Sequence, residues 1–458
     1  MKLWLQVIMT SYLILGFCQV HDLVQEKAEL VNQWIDLSEG EVTGKIVDEN
    51  NTPLLAQVRF YDGEGTMIKR TQTDLNGDYS IRLAEGEYTL EVSKGYEYEV
   101  KTVLLEVKKE SSKKIEEIQL KRIIDWRAKD YISGDLHQHS QFSEDGVNTV
   151  KEILYANVAN GLDFGALSDY NTTNGFDEWM SLADELNFLA LPAQEITTQE
   201  GSYLAINTTE LMDLTKMGDK KILEDMIKKI QVQGGLIQVN HPEQNSSILE
   251  YASQFDAIEI WNGQAIAPIS NLSDLNETFT YNHKSKEKWF ELLSSGMKLT
   301  ALGNSDNHDI SQDKELTLNS QNEVFNEWIS QGQYDGNPRN YIKVRDVTID
   351  GIIEGIRKGH VFITNGPLMD ITVNDATFGD ALKNVSDAEI SYIIASNDCV
   401  LDTLNIIADG KVIETIPLAE DIPTIGTLTL NLSNYRWIVF EVITKSYKYA
   451  ISNPIYLN

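Results

Sequence analysis

Two histidines stand two residues apart beside a carboxylate in Asp135-Leu136-His137-Gln138-His139, a stretch that reads as a strand. Alternate strand residues point to one side. Asp135, His137 and His139 can therefore face one point in space, as metal ligands must. A second pair, Asp306-Asn307-His308, lies far downstream. In chain order the candidate ligands are His137, His139, Asp145, Asp169, Glu195, His241, Asp306 and His308. Imidazole nitrogen together with carboxylate oxygen suits zinc, manganese or iron. The absence of cysteine from this set argues against a structural zinc knuckle. A carboxylate such as Glu195 can bridge two ions, and a water held between two ions becomes a nucleophile near neutral pH.

Several of these residues also have plainer readings. Asp145 precedes Gly146 and reads equally as a turn or helix-cap residue. Asp169 could close a loop after its strand, Glu195 stands among polar residues, and His241 before Pro242 could be a loop histidine. The pairs His137/His139 and Asp306/His308 are harder to explain by structure alone. His283 and His360 have no partners nearby in sequence and read as structural, and His21 lies beside the export region.

The elements that must position these residues alternate in character over about 125–365. Val147, Val150, Ile153, Leu154, Asn157 and Val158 share one helical face, and Gly161 is a natural stop. Buried strands are expected at 162–167, 188–191, 235–239, 257–261 and 299–302, with helices at 221–233 and 286–295. Ile349, Ile352, Ile353 and Ile356 form a last helical face, stopped by Gly359. Alternating strands and helices imply parallel strands in an α/β layer or barrel, with ligands at the strands' C-terminal ends. Every metal-capable residue falls at or just after such a run. Two flanking segments read as small all-β sandwiches, at 39–122 and 366–458. In the first, strands at 41–47, 56–61, 79–83, 87–92 and 101–107 are punctuated by Asn50-Asn51, Asp62-Gly63, Asn76-Gly77 and Glu85-Gly86.

The chain has 458 residues, enough for about two to four domains. Its net charge of −32, from 38 basic and 70 acidic residues, argues against nucleic acid or an anionic membrane surface as a partner. Residues 1–20 read as a secretory signal: Lys2 is followed by a mostly apolar run too short to span a bilayer comfortably. Leu15-Gly16-Phe17-Cys18 resembles a bacterial lipobox with a large residue at Phe17, so Cys18 is either a lipid anchor or the neighbourhood of plain cleavage. A short connecting helix is expected at 21–38. Cys399 then has no partner and reads as a small buried hydrophobe. A bacterial periplasmic or cell-surface location, without disulfides, fits this pattern.

Gly134-Asp135-Leu136-His137-Gln138-His139-Ser140, Ser143-Glu144-Asp145-Gly146, the run Gly161 to Asn171, Glu195-Ile196-Thr197-Thr198, Asn240-His241-Pro242, Asp256-Ala257-Ile258-Glu259-Ile260-Trp261-Asn262-Gly263 and Gly303-Asn304-Ser305-Asp306-Asn307-His308 resemble the PHP (polymerase and histidinol phosphatase) superfamily. The ending Gly359 to Leu368 resembles its CehA/McbA-like metallohydrolase branch. The resemblance spans about 130–380 and keeps motif order. It implies a distorted (β/α)7 barrel with one to three divalent ions. His137 and His139 match the first histidine pair, Asp145 the acidic residue of the following loop, Glu195 the bridging carboxylate, His241 the third-motif histidine, and Asp306 and His308 the final pair. Two departures stand out. The family usually has Asp-His where this chain has Asp169-Tyr170, and a histidine shortly after the bridging glutamate where Ser202 follows Gly201. One well-formed site, from His137, His139, Glu195 and Asp306, is therefore expected. Separately, Gly44 to Glu49, Thr73 to Tyr79 and Gly86 to Leu90 resemble the carboxypeptidase regulatory-like β-sandwich.

The expected function is an exported metal-dependent hydrolase acting on a phosphoester, ester or carbamate bond, with His241 and His308 as ligands or proton shuttles. The competing expectation is a binding protein on a degenerate PHP scaffold, holding a glycan or a surface partner. Pocket walls would come from loops at 171–178, 264–281 and 311–341, the last long enough to be a lid or hold a short helix. Trp179 and Trp261 read as core residues that could also line a pocket. A small-molecule or glycan-type substrate fits.

Overall fold

The computed structural model describes residues 39–198, 201–212, 220–243, 246–263, 268, 281–310, 335–383, 385–419 and 423–457. The export segment with Cys18, the helix expected at 21–38, and most of the loops 264–281 and 311–341 lie outside the described residues. Among the described residues no helix is long and apolar enough to cross a membrane. The chain divides into two compact units. The smaller one comprises the described residues through Leu54 with Val58–Val92 and Lys101–Gln119, and the larger one Leu55–Gln57, Ser93–Val100 and Leu120–Asn458.

The smaller unit is all β. Its strands are β1 (Glu39–Asp48), β2 (Gln57–Tyr61), β3 (Met67–Gln72), β4 (Asp78–Ala84), β5 (Gly86–Ser93), β6 (Lys101–Val107), β7 (Ser112–Lys114) and β8 (Ile118–Leu120). One sheet runs β4-β1-β7, with β8 also on β1, and the other runs β3-β2-β5-β6. Strict alternation of buried and exposed residues in β4 marks a strand with one face on a core. The turns are built by aspartates. Asp48, Asp62 and Asp74 each accept two backbone N–H groups, from the residues two and four positions on. Gly77 is required at one of them: its φ is +77°, and a Cβ would lie 2.3 Å from the Ile46 carbonyl oxygen. β3 escaped the sequence reading because few of its residues are apolar and none is buried.

The larger unit begins with β9 (Tyr131–Asp135), α1 (Val150–Ala159), β10 (Phe164–Leu167), α2 (Phe176–Leu186), β11 (Leu189–Thr197), β12 (Ser202–Ile206), α3 (Lys220–Val232) and β13 (Leu236–Val239). It continues with β14 (Ala257–Asn262), α4 (Tyr281–Ser294), β15 (Thr300–Asn304), β16 (Arg339–Lys343), α5 (Ile349–Lys358) and β17 (Val361–Thr364). β9, β10 and β11 are parallel, as are β13, β14 and β15, and β12 joins the two sets antiparallel to both neighbours. The sheet curls until its ends meet. Gln138 and Asn307, just beyond β9 and β15, form a parallel bridge. The His139 N–H donates to the Asn307 carbonyl at 2.9 Å, and the Asp306 N–H to that of His137 at 2.9 Å. This closure brings the two histidine-bearing motifs side by side.

Strict (β/α)7 alternation is not what the described residues show. β12 follows β11 with no helix between them, and β16 runs antiparallel to both β9 and β17. β12 was missed because all five of its residues are buried, so it carries no alternating pattern. Helix α1 starts later than its sequence face suggested. Thr149 caps it in a capping box with Glu152, so Val147 lies outside the helix and is exposed. Helix α5 keeps its isoleucine face: Ile352, Ile353 and Ile356 are buried with Ile132, Phe164, Leu191, Leu204, Leu236 and Leu302 in one core cluster. Truncating one such isoleucine to alanine costs about 2–5 kcal/mol. Trp179 and Trp261 are both buried.

Beyond β17 come β18 (Leu368–Val373), β19 (Ala381–Leu382), β20 (Asp387–Ala395), β21 (Leu401–Ala408), β22 (Lys411–Pro417), β23 (Thr424–Asn431), β24 (Trp437–Thr444), β25 (Tyr449–Ser452) and β26 (Ile455–Leu457). β18, β20 and β23 form a separate sheet. β25 pairs with β17, so β24, β21 and β22 continue the large sheet away from the metal-ligand motifs. His360 sits 3.3 Å from Asp380, and His283 3.3 Å from Glu287.

Candidate metal centre

β9 ends at Asp135, and its alternation carries on past the end. Leu136 turns into the core, Gln138 accepts from Asn157 Nδ2 at 2.9 Å, and His137 and His139 face the other way. Asp135 does not join them. It is fully buried and accepts the N–H groups of His137, Ser305 and Gly336, so it clamps the backbone at the sheet closure. Burial lifts its pKa to about 6, against the lowering effect of those hydrogen bonds.

Glu195 on β11 and Asp306 after β15 complete the group. His137 Nε2 lies 3.0 Å from Glu195 Oε2 and 3.1 Å from Asp306 Oδ1. His139 Nε2 lies 3.1 and 3.2 Å from the same two oxygens. The ligand atoms of all four residues fall within 4.8 Å of one another. Ligands held about 2.0–2.1 Å from a tetrahedral zinc ion are about 3.3 Å apart, so these separations are close to the edges of a coordination polyhedron. The His139 nitrogen carries the second half of the argument. Nε2 is buried and makes no well-directed hydrogen bond among the described residues, despite two carboxylate oxygens so close. His137 Nε2 does meet Glu195 Oε2 in hydrogen-bond geometry at 3.0 Å, but all four ligand atoms converge on one small volume. The donor set therefore fits a divalent cation.

Two histidines extend the group toward the surface. His241 Nε2 lies 3.3 Å from Glu195 Oε1, the oxygen facing away from the first pair, so Glu195 spans two positions as a bridging carboxylate does. His308 Nε2 lies 3.3 Å from Asp306 Oδ1, and its ring stacks on His139 at 4.2 Å. Both side chains are 18% exposed, whereas His137 and His139 are fully buried, so solvent reaches the group from this side. Asp145 is exposed and lies 3.0 Å from His308 Nδ1. His241 and Asp306 both have positive φ, +25° and +49°. Left-handed backbone at a non-glycine residue is costly and persists where surrounding contacts enforce it.

Asp169 lies behind His139. Its oxygens accept from the Ser140 N–H and the hydroxyls of Ser140 and Ser143, and Ser143 Oγ lies 2.9 Å from His139 Nδ1. It orients His139 through a hydroxyl rather than joining the converging atoms. Tyr170 packs its ring 4.4 Å from His139. Burial, with Glu195, Asp306 and Asp145 nearby, raises the phenol pKa far above 10, so without an ion beside it Tyr170 is neutral. Ser202 is buried at the start of β12, with Oγ 3.4 Å from Thr197 Oγ1.

Glu259 was not singled out from the sequence and is the hub of the surrounding network. It is fully buried on β14. Oε1 meets His137 Nδ1 at 3.1 Å and accepts from Asn304 Nδ2, and Oε2 accepts from the His241 N–H and Asn262 Nδ2. Asn262 Nδ2 also reaches Asp306 Oδ2 at 3.1 Å, and Asn240 Nδ2 donates to Glu195 Oε1 at 3.1 Å. An acceptor on Nδ1 fixes His137 with its proton there and Nε2 free to bind. The signal was available: one carboxylate in the middle of the apolar run 257–261 must have donors waiting for it.

The electrostatics agree with the geometry. Burial pushes His137 down, but the carboxylates of Asp306, Glu195 and Glu259 more than reverse this and hold it well above the usual imidazole value. Burial also opposes protonation of His139, yet Asp306 and Glu195 lift it to about 9. Burial would raise Glu195 and Asp306, and the imidazoles, His137 above all, hold both well below the carboxylate range. A divalent cation competes for the same field, so its binding expels these protons.

Comparison with known proteins adds the following. Residues 41–120 match the carboxypeptidase regulatory-like domain. Over 121 residues the chain is 30% identical to uncharacterized protein MJ1587 of Methanocaldococcus jannaschii, covering 24% of this chain and 68% of that one. The chain belongs to the family of that archaeal protein. Among solved structures, a two-domain protein from Bacteroides vulgatus containing a predicted PHP-like metal-dependent phosphoesterase aligns with 16% identity and a TM-score of 0.40, over 70% of this chain and 95% of that one. An amidohydrolase from Chromobacterium violaceum aligns with 18% identity and a TM-score of 0.28, over 38% and 87%.

Proposed function

We propose that this chain is an exported metal-dependent hydrolase acting on a phosphoester, ester or carbamate bond of a small-molecule or glycan-type substrate. The observation that carries the reading is the convergence of His137, His139, Glu195 and Asp306 at separations close to those of metal ligands. In this reading the curled sheet is a PHP-type barrel of the CehA/McbA-like branch, which the motif order over 130–380 supports. Export, with Cys18 as a candidate lipid anchor, rests on the apolar N-terminal run.

His137, His139, Glu195 and Asp306 would hold the first ion, and Glu195 with His241 would offer a second position. A bound zinc, manganese or iron ion supplies Lewis acidity and a water that ionises near neutral pH. Glu259 keeps His137 in the binding tautomer. On the solvent side, His308 would take the proton released by the attacking water and return it to the leaving group, and His241 would share that role where the second position holds no ion. Tyr170, held neutral, donates a hydrogen bond to the oxyanion that develops as the bond breaks. The test is hydrolysis of aryl phosphoesters, esters and carbamates after loading with manganese or zinc. Activity above a His137→Ala/His139→Ala control is expected, and its absence for all three bond types overturns the catalytic reading.

One observation favours a binding role on the same scaffold. Asp169 spends its oxygens on serine donors, and Tyr170 stands where an imidazole would complete a further ion position. Fewer than one tightly held ion per chain, measured by elemental analysis, would favour that reading, with a glycan or surface protein as partner.

A further inference from the structure

A cavity lies in the larger unit, at the N-terminal side of β10, away from the metal ligands at the strands' other ends. Its volume is about 220 Å³, and its walls include Lys94, Glu97, Leu162, Asp163 and Phe188. Lys94 Nζ donates to the carbonyls of Leu55 and Val158, both at 2.7 Å, and among the described residues it meets no carboxylate at ion-pair distance. An ammonium has three protons, so one donor remains. Glu97 is buried and accepts from the Trp126 N–H at 3.2 Å and the Tyr341 hydroxyl at 3.4 Å, both neutral donors. A carboxylate has about four acceptor positions, so capacity remains there too. The other charges nearby are matched: Asp163 takes Arg127 and the Ser133 N–H, and Arg122 pairs with Asp125.

The cavity thus exposes one half-buried cation and one buried carboxyl that do not reach each other. The burial cost is visible in both. Burial, with Arg122 adding to it, pulls Lys94 down to about 8, and burial, with Asp163 adding to it, lifts Glu97 to about 7. Perturbed groups of opposite sign in one cleft are a recurring mark of a binding site. An engineered cavity of about 150 Å³ holds benzene, so this one accommodates a molecule somewhat larger. Leu162 and Phe188 give it an apolar wall.

We propose that this cavity binds a small zwitterion of the α-amino-acid type, with its carboxylate on Lys94, its ammonium on Glu97 and an apolar side chain against Leu162 and Phe188. The site is independent of the metal centre. The test is calorimetric titration of the full chain with L-leucine, with isocaproate, which lacks the amine, and with isoamylamine, which lacks the carboxylate. Leucine should bind saturably, and each singly charged analogue about tenfold more weakly or worse, as expected for loss of a charged hydrogen bond. Lys94→Met and Glu97→Gln should each weaken leucine binding by about tenfold while metal content stays at the wild-type level. Absence of leucine binding overturns the proposal. Isocaproate binding as tightly as leucine also overturns it, because the site would then be a plain anion site. If a variant does not fold, the ranking of the three probes on the wild-type chain decides alone.

Discussion

Two clusters of buried charge in the larger unit are built on opposite principles. In one, Lys286 on α4 places Nζ 2.7 Å from Glu441 Oε1, and the Tyr449 hydroxyl donates to the same oxygen. The ammonium also lies over the rings of Tyr449 and Phe290 at 5.8 and 5.9 Å. Cation and anion neutralise each other, with the phenol as a further donor to the carboxylate. In the other, two carboxylates and two imidazoles bring their electron pairs to one point, and His139 Nε2 makes no well-directed bond with either neighbour. A cluster that closes on itself holds the fold together. A cluster with surplus Lewis bases marks where a cation belongs.

The largest effect is expected from breaking the closed cluster. Lys286→Met leaves Glu441 buried without its cation and should cost about 3–5 kcal/mol in denaturant unfolding. Lys286→Met/Glu441→Leu should recover most of that loss, and metal content should not change in either variant. A drop in metal content would erase the distinction between the clusters.

The Lys94/Glu97 cavity is intermediate, with opposite charges held apart. Because the folded state raises Glu97 from 4.5 to about 7, it binds the extra proton between those values. The stabilisation from Glu97 protonation is therefore complete below about pH 4.5 and lost by about pH 7. The difference is up to about 3 kcal/mol. Urea melts between pH 4.5 and 7 should show this slope flattened in Glu97→Gln relative to the wild type, and equal slopes would refute the assignment.

Glu259→Gln probes the open cluster from behind. Metal affinity should fall about 10–100-fold in a competition titration with a chromogenic chelator, and the proton release on binding should change as well. Unchanged affinity would make Glu259 a packing residue. The smallest effect is that of Thr149→Ala, which removes the cap of α1 and should cost about 1 kcal/mol with metal content intact.

How much of this was legible in the sequence depends on whether a signal is local. The apolar run at 257–261 and the isoleucine face of α5 carry their own period, and both elements stand where that period puts them. The family resemblance implied a single group of His137, His139, Glu195 and Asp306, and the fold sets those four within 4.8 Å. What escaped was relational. β12 has no alternation because both of its faces are covered. Asp135 and Asp169 were read as facing or joining the metal group, but each is surrounded by donors contributed by distant residues, including Gly336 and Ser140. Glu259 looked like one charged residue in a strand until β9 and β15 closed around it.

The central claim is that the open cluster is a cation site. Elemental analysis of the full chain, purified without chelator and compared with His137→Ala/His139→Ala, tests it directly. At least one zinc, manganese or iron ion per wild-type chain, lost in the double variant with the fold retained, is the predicted result. Equal and negligible metal in both proteins, after loading with excess manganese or zinc, would contradict it.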